Sequence, residues 1–214
     1  MIGLSEYFQK HILLRREEYQ WLIEPLAALN LKIGRLADFG CGEGQETLLL
    51  MCMLNAGEGV GIDKCDQSIR NAQNTLRTIQ DIIWVKGAPN DAPVFLKKSH
   101  LEEVVKFYTR DITEPIQLPP DYYDIAFCNY VLYHIWLDQG GEDKTRKAIH
   151  ELLQIVRPGG VIAVCEPTQH TGGPIFSIGF RPLFERIDLA LVHVEEIAFE
   201  GGQNTEYIYI KGAA

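Results

Sequence analysis

From about Arg35 onward, short apolar runs alternate with longer segments in which apolar residues recur every three or four positions. The short runs predict buried strands and the periodic segments predict helices. The pattern predicts first a strand over 35–39, an apolar helix over 43–55 and a strand over 60–63. A polar amphipathic helix follows, with Asp66 as its N-cap and Arg70, Asn74 and Arg77 on its wet side, running to about Gln80. Strands are predicted over 104–109, 125–129 and 161–165. The last two are separated by a helix over 144–156, which the turn at Arg157, Pro158, Gly159 and Gly160 ends. Strands separated by helices imply a parallel sheet covered on both faces. The end of the chain breaks this rhythm: two β-rich runs, 191–199 and 207–210, flank Glu200, Gly201, Gly202, Gln203 and Asn204, which predicts a hairpin and an antiparallel strand. Two segments fall outside the core, an N-terminal helical pair over about 4–29 and an insertion over 88–103 interrupted by Pro89 and Pro93.

Length and composition narrow the class. A chain of 214 residues with 46% hydrophobic residues fits a single domain with a substantial core. The formal net charge of -9, from 20 basic and 29 acidic residues, argues against a nucleic-acid partner and for a small molecule. The five cysteines, Cys41, Cys52, Cys65, Cys128 and Cys165, show neither CxxC nor Cys/His zinc spacing and read as reduced packing residues, so no metal is expected. A thiol-rich site built from Cys41, Cys65, Cys128 and Cys165 is the alternative. The N-terminus lacks a signal pattern and the longest apolar run, 48–54, is too short to span a bilayer, so a soluble, cytoplasmic protein is expected.

The chemistry concentrates in Leu36 to Thr47, LADFGCGEGQET. An apolar strand ends in Asp38 and runs into Gly40, Gly42 and Gly44, a turn without side chains against which a ligand can lie where a helix begins. Asp63 ends the next strand about twenty residues later, where an open sheet would hold its carboxylate beside the same ligand, suited to accept from two ribose hydroxyls. Capping the following helix is the plainer role for Asp63, but Asp66 is better placed for it. Dinucleotide oxidoreductases share these two features. Their turn is G-x-G-x-x-G; here Gly44 arrives one residue early, and Asp38, Glu43 and Glu46 flank the turn, which opposes a pyrophosphate and favours a cationic ligand such as a sulfonium.

With ADFGCGEG, GVGID ending at Asp63, YTRDITEPIQLPPDYYDIAFCNYVLYHI and LLQIVRPGGVIAVCEP in this order, the chain resembles the class I S-adenosylmethionine-dependent methyltransferases, in particular their small-molecule branch of the ubiquinone-biosynthesis type. The resemblance implies a Rossmann-like, doubly wound, mostly parallel seven-stranded sheet with an antiparallel C-terminal hairpin strand, an N-terminal helical cover over 1–30 and a lid over 168–186, all one methyltransferase domain. It implies S-adenosyl-L-methionine as cofactor. Asp38, Gly40 and Gly42 would contact its amino acid portion, Gly44 would permit the turn into the helix, and Asp63, with Lys64 beside it, would take the ribose. Asp111 and the Ile112 backbone would receive the adenine amino group, although a turn-forming Asp reads the same way. Asn129 and Tyr130 would pass close to the methionine part. The residues after Asn129 are Tyr130, Val131 and Leu132, not the Pro-Pro-aromatic run of enzymes that methylate amide or exocyclic nitrogens.

For proton removal His134, in VLYHI, is the first candidate, with packing as its plainer role. Glu166, at the end of the fifth strand, either reaches the pocket or pairs with a neighbouring loop. Tyr7, His11, Tyr19 and His170 lie in the covering segments as further candidates, and the apolar stretch 172–184 suggests an apolar or aromatic substrate under a lid or, equally, a short helix packed on the sheet. The partners expected are therefore a small-molecule substrate, no nucleic acid and no membrane, with a homodimer left open. An RNA or protein methyltransferase, and a non-catalytic cofactor-binding protein, are the competing readings.

Overall fold

The computed structural model describes residues 19–78, 82–84, 94–96, 98–138, 141–170, 181–184, 189–199 and 202–212. Seven strands form a mixed sheet, in the order 105–109, 58–63, 35–39, 123–129, 156–170, 202–211 and 189–199, with most neighbours parallel and the hairpin antiparallel. It is the Rossmann-like, doubly wound, mostly parallel sheet that the family resemblance implies. The chain divides into two compact units, Met1–Thr109 and Arg110–Ala214.

In the first unit, α1 (Gln20–Ala28) buries Trp21, Leu22 and Leu26 and closes with Asn30 in the left-handed region at φ 51°, where the Leu31 N–H reaches the Leu26 carbonyl at 3.0 Å. Of the predicted N-terminal helical pair, everything before Tyr19 lies outside the described residues. β1 (Arg35–Phe39) buries Leu36, Ala37, Asp38 and Phe39, as a strand covered on both faces must. α2 (Gln45–Met53) is buried from Thr47 to Met53, so its sequence is apolar all round rather than striped. β2 (Glu58–Asp63) runs parallel to β1, Arg35 opposite Glu58 through Phe39 opposite Ile62. α3 (Asp66–Thr78) is amphipathic: Ile69, Ala72 and Leu76 are buried, while Arg70, Asn74 and Arg77 face water as predicted. Its first bond runs from the Ile69 N–H to the Cys65 carbonyl, which makes Cys65 the N-cap and corrects the assignment to Asp66 by one residue. β3 (Ile82–Trp84) and β4 (Val94–Leu96) pair antiparallel as a separate two-stranded sheet, and α4 (Lys98–Val104) leads into β5 (Val105–Thr109), parallel to β2. The predicted insertion thus holds a strand and a helix of its own.

In the second unit, β6 (Tyr123–Asn129) is followed by α5 (Leu132–Asp138) and α6 (Gly141–Ile155), which buries Thr145, Ala148, Ile149, Leu152, Leu153 and Ile155. β7 (Val156–His170) starts directly behind α6. Pro158, Gly159 and Gly160 do stop the helix, but they lie inside β7. Val156 pairs with Tyr123 and Val161 with Ile125, so the intervening residues bulge, with Gly159 at φ 72°. α7 (Arg181–Phe184) stacks Phe184 on Tyr209 with ring centroids 4.8 Å apart. β8 (Leu189–Phe199) and β9 (Gly202–Lys211) form the predicted hairpin, β9 pairing antiparallel with both β7 and β8. β9 begins at Gly202, so Gln203 and Asn204 belong to the strand rather than to the loop.

Candidate functional site

The turn after β1 holds three glycines in the left-handed region, Gly40 at φ 74°, Gly42 at 53° and Gly44 at 77°. The N–H groups of Gly40 and Cys41 donate to the Ile62 carbonyl at 2.7 and 3.0 Å, tying the turn to β2. Gly44 and Gly42 then differ in purpose. A Cβ on Gly44 would stand 2.6 Å from Phe107 Cζ and 2.9 Å from Ala72 Cβ, so this glycine lets the start of α2 pack closely. A Cβ on Gly42 would meet nothing within 4 Å among the described residues. Backbone with open space over it is what a bound ligand requires.

Asp63 faces the same turn. Its Oδ2 accepts from the Gly42 N–H at 3.0 Å and its Oδ1 from the Cys65 N–H at 2.7 Å. Each oxygen keeps a lone pair, and the residue is half-buried, so the carboxylate stays able to accept from a ligand's hydroxyls. Lys64 beside it is exposed. Asp38 is turned inward: 1% exposed, it accepts from Thr47 Oγ1 at 2.5 Å, and burial pushes its carboxyl up to about 7 against the pull of that hydroxyl. Thr47, which belongs to no predicted site, thereby fixes the first turn of α2. The flanking acids are also engaged: Glu46 accepts from the Tyr19 hydroxyl and Glu43 from Asn71 Nδ2 at 2.9 Å. Tyr19, a candidate from the covering segment, is buried in this contact. Burial raises the Cys41 thiol well above its ordinary range, as suits a packing residue.

In the second unit, Asp111 Oδ1 accepts from the N–H and the hydroxyl of Thr113 at 2.9 and 2.8 Å, the local turn that its residue type favours, and Ile112 beside it is buried. β6 ends at Asn129, and Tyr130 follows at φ 58°, an aromatic residue in the left-handed region. Its N–H donates to the Cys165 carbonyl at 2.9 Å, its hydroxyl takes a hydrogen bond from Asn204 Nδ2, and burial pushes that hydroxyl's pKa up. Glu166 is 0% exposed. Its Oε1 accepts from the N–H groups of Val131 at 3.0 Å and Leu132 at 2.8 Å, and its Oε2 from Tyr133 at 3.0 Å. Burial pushes its carboxyl up to about 8 despite these donors. Of the two roles open to Glu166, the geometry is that of the partner to a neighbouring loop.

His134 is exposed on α5, edge-on to Tyr133 with ring centroids 5.5 Å apart. Tyr7 and His11 lie outside the described residues, as does the side chain of His170. Of the stretch 172–184, Leu183 and Phe184 are buried in a short helix, the packing role allowed for. Glu206, for which no motif stands in the sequence, is a buried acid in β9 one position before the predicted strand 207–210, and the alternation Glu206, Ile208, Ile210 is the pattern that marks it. Among the described residues no group of three or more His, Cys, Asp or Glu is placed to hold a metal, and no helix is long and apolar enough to cross a membrane.

Comparison with known proteins fits this arrangement. A family profile described as a methyltransferase domain matches residues 32–174. The fold is similar to a SAM-dependent methyltransferase from Aquifex aeolicus at 17% identity, covering 96% of this chain and 97% of that one with a TM-score of 0.58. It is similar to magnesium protoporphyrin IX methyltransferase from Synechocystis with bound SAM at 15% identity, covering 98% and 86% with a TM-score of 0.61. A 4+2 cyclase is similar at 15% identity, covering 84% and 75% with a TM-score of 0.62. Comparison with curated proteins gives no match.

Proposed function

The chain belongs to the methyltransferase domain family and is an S-adenosylmethionine-dependent methyltransferase; on that premise we propose that it methylates a small, apolar or aromatic molecule, within the branch of ubiquinone-biosynthesis type. The observation that carries the cofactor's place is the Asp63 carboxylate held on the Gly42 N–H at 3.0 Å, beside a backbone that no described residue covers within 4 Å. When bound, the cofactor supplies an electrophilic methyl group on a sulfonium. Asp63 would hold its ribose, and the bare turn from Gly40 to Gly42 would take its amino acid portion. Asp111, Ile112, Asn129 and Tyr130 complete the proposed cofactor set. In-line transfer asks the protein mainly to position the accepting atom and exclude water. Glu166 acts here as a positioning residue, since it fixes the backbone of 131–133 from which His134 follows. His134 is the proposed base; Tyr7 and His11 remain in the proposal as parts of a substrate cover. The acidic balance and the absence of a basic stretch in the sequence favour a small acceptor over RNA.

The cyclase shares the fold, and a fold does not fix a reaction, so the test must read the transferred methyl itself. Incubated with methyl-labelled cofactor and fractionated metabolite extract, the protein should label a small organic product. Label found only in RNA or protein, or nowhere, would reject the reading. With a product in hand, His134→Ala should lower turnover about 10²- to 10⁴-fold and leave cofactor affinity unaltered. A loss well under about tenfold would remove His134 as a base.

A further inference from the structure

β9 carries a polar group that the cofactor site does not use. Register places Asn129, Cys165, Glu206 and Glu195 side by side on one row across β6, β7, β9 and β8, so their side chains share a face. Glu206 is 4% exposed. Its Oε1 accepts only a thiol, Cys165 Sγ at 3.8 Å, and its Oε2 is buried with no hydrogen-bond partner among the described residues. Two positions earlier on the same face, Asn204 also buries an Oδ1 that has no partner among the described residues, while its Nδ2 donates to the Tyr130 hydroxyl.

Two buried acceptors without donors are costly, and a carboxylate directly opposite another across a strand pair adds repulsion. Glu195 has a local remedy, since it is half-exposed and lies 3.5 Å from His193 Nε2. Glu206 has none. What is missing beside it is a donor that carries positive charge. Two or three acceptors suit the three hydrogens of an ammonium and fall short of the six to eight oxygens that a hard divalent cation gathers. Two strand spacings, roughly 10 Å, separate Glu206 from Asn129 on this row, about the reach of a small substrate whose accepting atom lies at the end of β6.

We propose that Glu206, assisted by Asn204, is the substrate-recognition site and that it binds a protonated amine on the molecule to be methylated. This deepens the methyl-transfer reading and rests on it. The groups facing Glu206 are Cys165 from β7 and Glu195 from β8, with His193 behind Glu195 and Tyr130 beyond Asn204. Without the amine, burial and then Glu195 push the Glu206 carboxyl up to about 8, so it holds a proton near neutral pH. Binding a cation should expel that proton.

Calorimetry on the full chain saturated with S-adenosylhomocysteine tests this with three probes of similar shape: phenethylamine, 2-phenylethanol and 3-phenylpropionate. The wild type should bind the amine about tenfold or more tighter than the alcohol, and reject the carboxylate. Near pH 6.5, buffers of different ionisation enthalpy should reveal about one proton released per amine bound. Glu206→Gln should lower amine affinity about tenfold or more, abolish the proton release, and leave the alcohol and S-adenosylhomocysteine unaffected. Glu195→Gln, at a half-exposed position, gives a second reading if Glu206→Gln does not fold: it should weaken amine binding about threefold, against no change for the alcohol. Equal binding of amine and alcohol by the wild type, or unchanged amine affinity in the variants, would overturn the inference while leaving methyl transfer standing. Failure of the wild type to bind S-adenosylhomocysteine would instead bring down the methyl-transfer reading and this inference with it.

Discussion

Asp63 ends β2 and Glu166 follows the last residue of β7 that pairs with β6, and both accept backbone N–H groups, yet their surroundings give them opposite tasks. Asp63 divides two donors between its two oxygens and stays half-buried, so acceptor capacity is left over. Glu166 is fully buried and takes three consecutive N–H groups at the start of α5. The first is arranged to meet a ligand and the second to hold a turn. Burial and the number of donors, rather than residue type or strand position, separate a binding carboxylate from a structural one.

The strongest way to break this comparison is Glu166→Ala. It leaves three N–H groups and a cavity in a buried site, and should lower unfolding free energy by about 3 to 5 kcal/mol in chemical denaturation. A loss under about 1 kcal/mol would show that α5 does not depend on this carboxylate. Next in size, Gly44→Ala should cost about 2 to 4 kcal/mol, because a methyl group there collides with Phe107 and Ala72 in addition to its unfavourable φ. Gly42→Ala, with no collision, should cost about 1 kcal/mol in stability and yet obstruct the cofactor. Equal losses of stability in the two variants would contradict the separate purposes assigned to these glycines.

Asp63→Ala should scarcely alter stability but weaken S-adenosylmethionine binding by about 1.5 to 3 kcal/mol, roughly ten- to a hundredfold. Unchanged affinity by calorimetry would remove Asp63 from the site. The smallest effect is on pH dependence. Asp38 and Glu166 have carboxyl pKa values raised to about 7 and about 8, so the folded state binds more protons than the unfolded chain between about pH 4 and those values. Stability from this source is complete below the unfolded pKa and is lost as pH rises through the folded values. Tm should therefore fall steadily from about pH 5 to pH 8. Glu166→Gln should flatten the upper part of that slope, and a Tm rising across the interval would reverse the argument.

Much of the fold was legible because its strands carry short runs of apolar, buried residues and its breaks are chemically marked. β1, β2 and β5 lie within a residue or two of where the apolar runs put them, and the wet face of α3 follows from Arg70, Asn74 and Arg77. β3 and β4 escaped notice because three-residue strands are too short to show a period, and Pro89 and Pro93 advertised a loop. Pro158, Gly159 and Gly160 mark a helix end and a bulge with the same residues, and only pairing with β6 distinguishes the two. At the site, the glycine turn and Asp63 could be read because backbone geometry demands those residue types. Glu166 and Glu206 were harder: whether an acid meets solvent, a backbone or another acid depends on strand register, which a single sequence carries only faintly.

Among the described residues, the non-glycine positions in the left-handed region are Asn30, Asn55, Gln117, Asp121 and Tyr130. Four carry amide or carboxylate side chains, whereas Tyr130 carries a large ring and bears a strain of about 1 to 3 kcal/mol. Asparagine or glycine would sit there more easily. This gives the position two histories to choose between: adaptation to heat alone would discard the ring, and adaptation to a particular substrate would keep it. Divergence at position 130 among descendants of this chain is therefore expected to track changes in chemistry more closely than changes in living temperature.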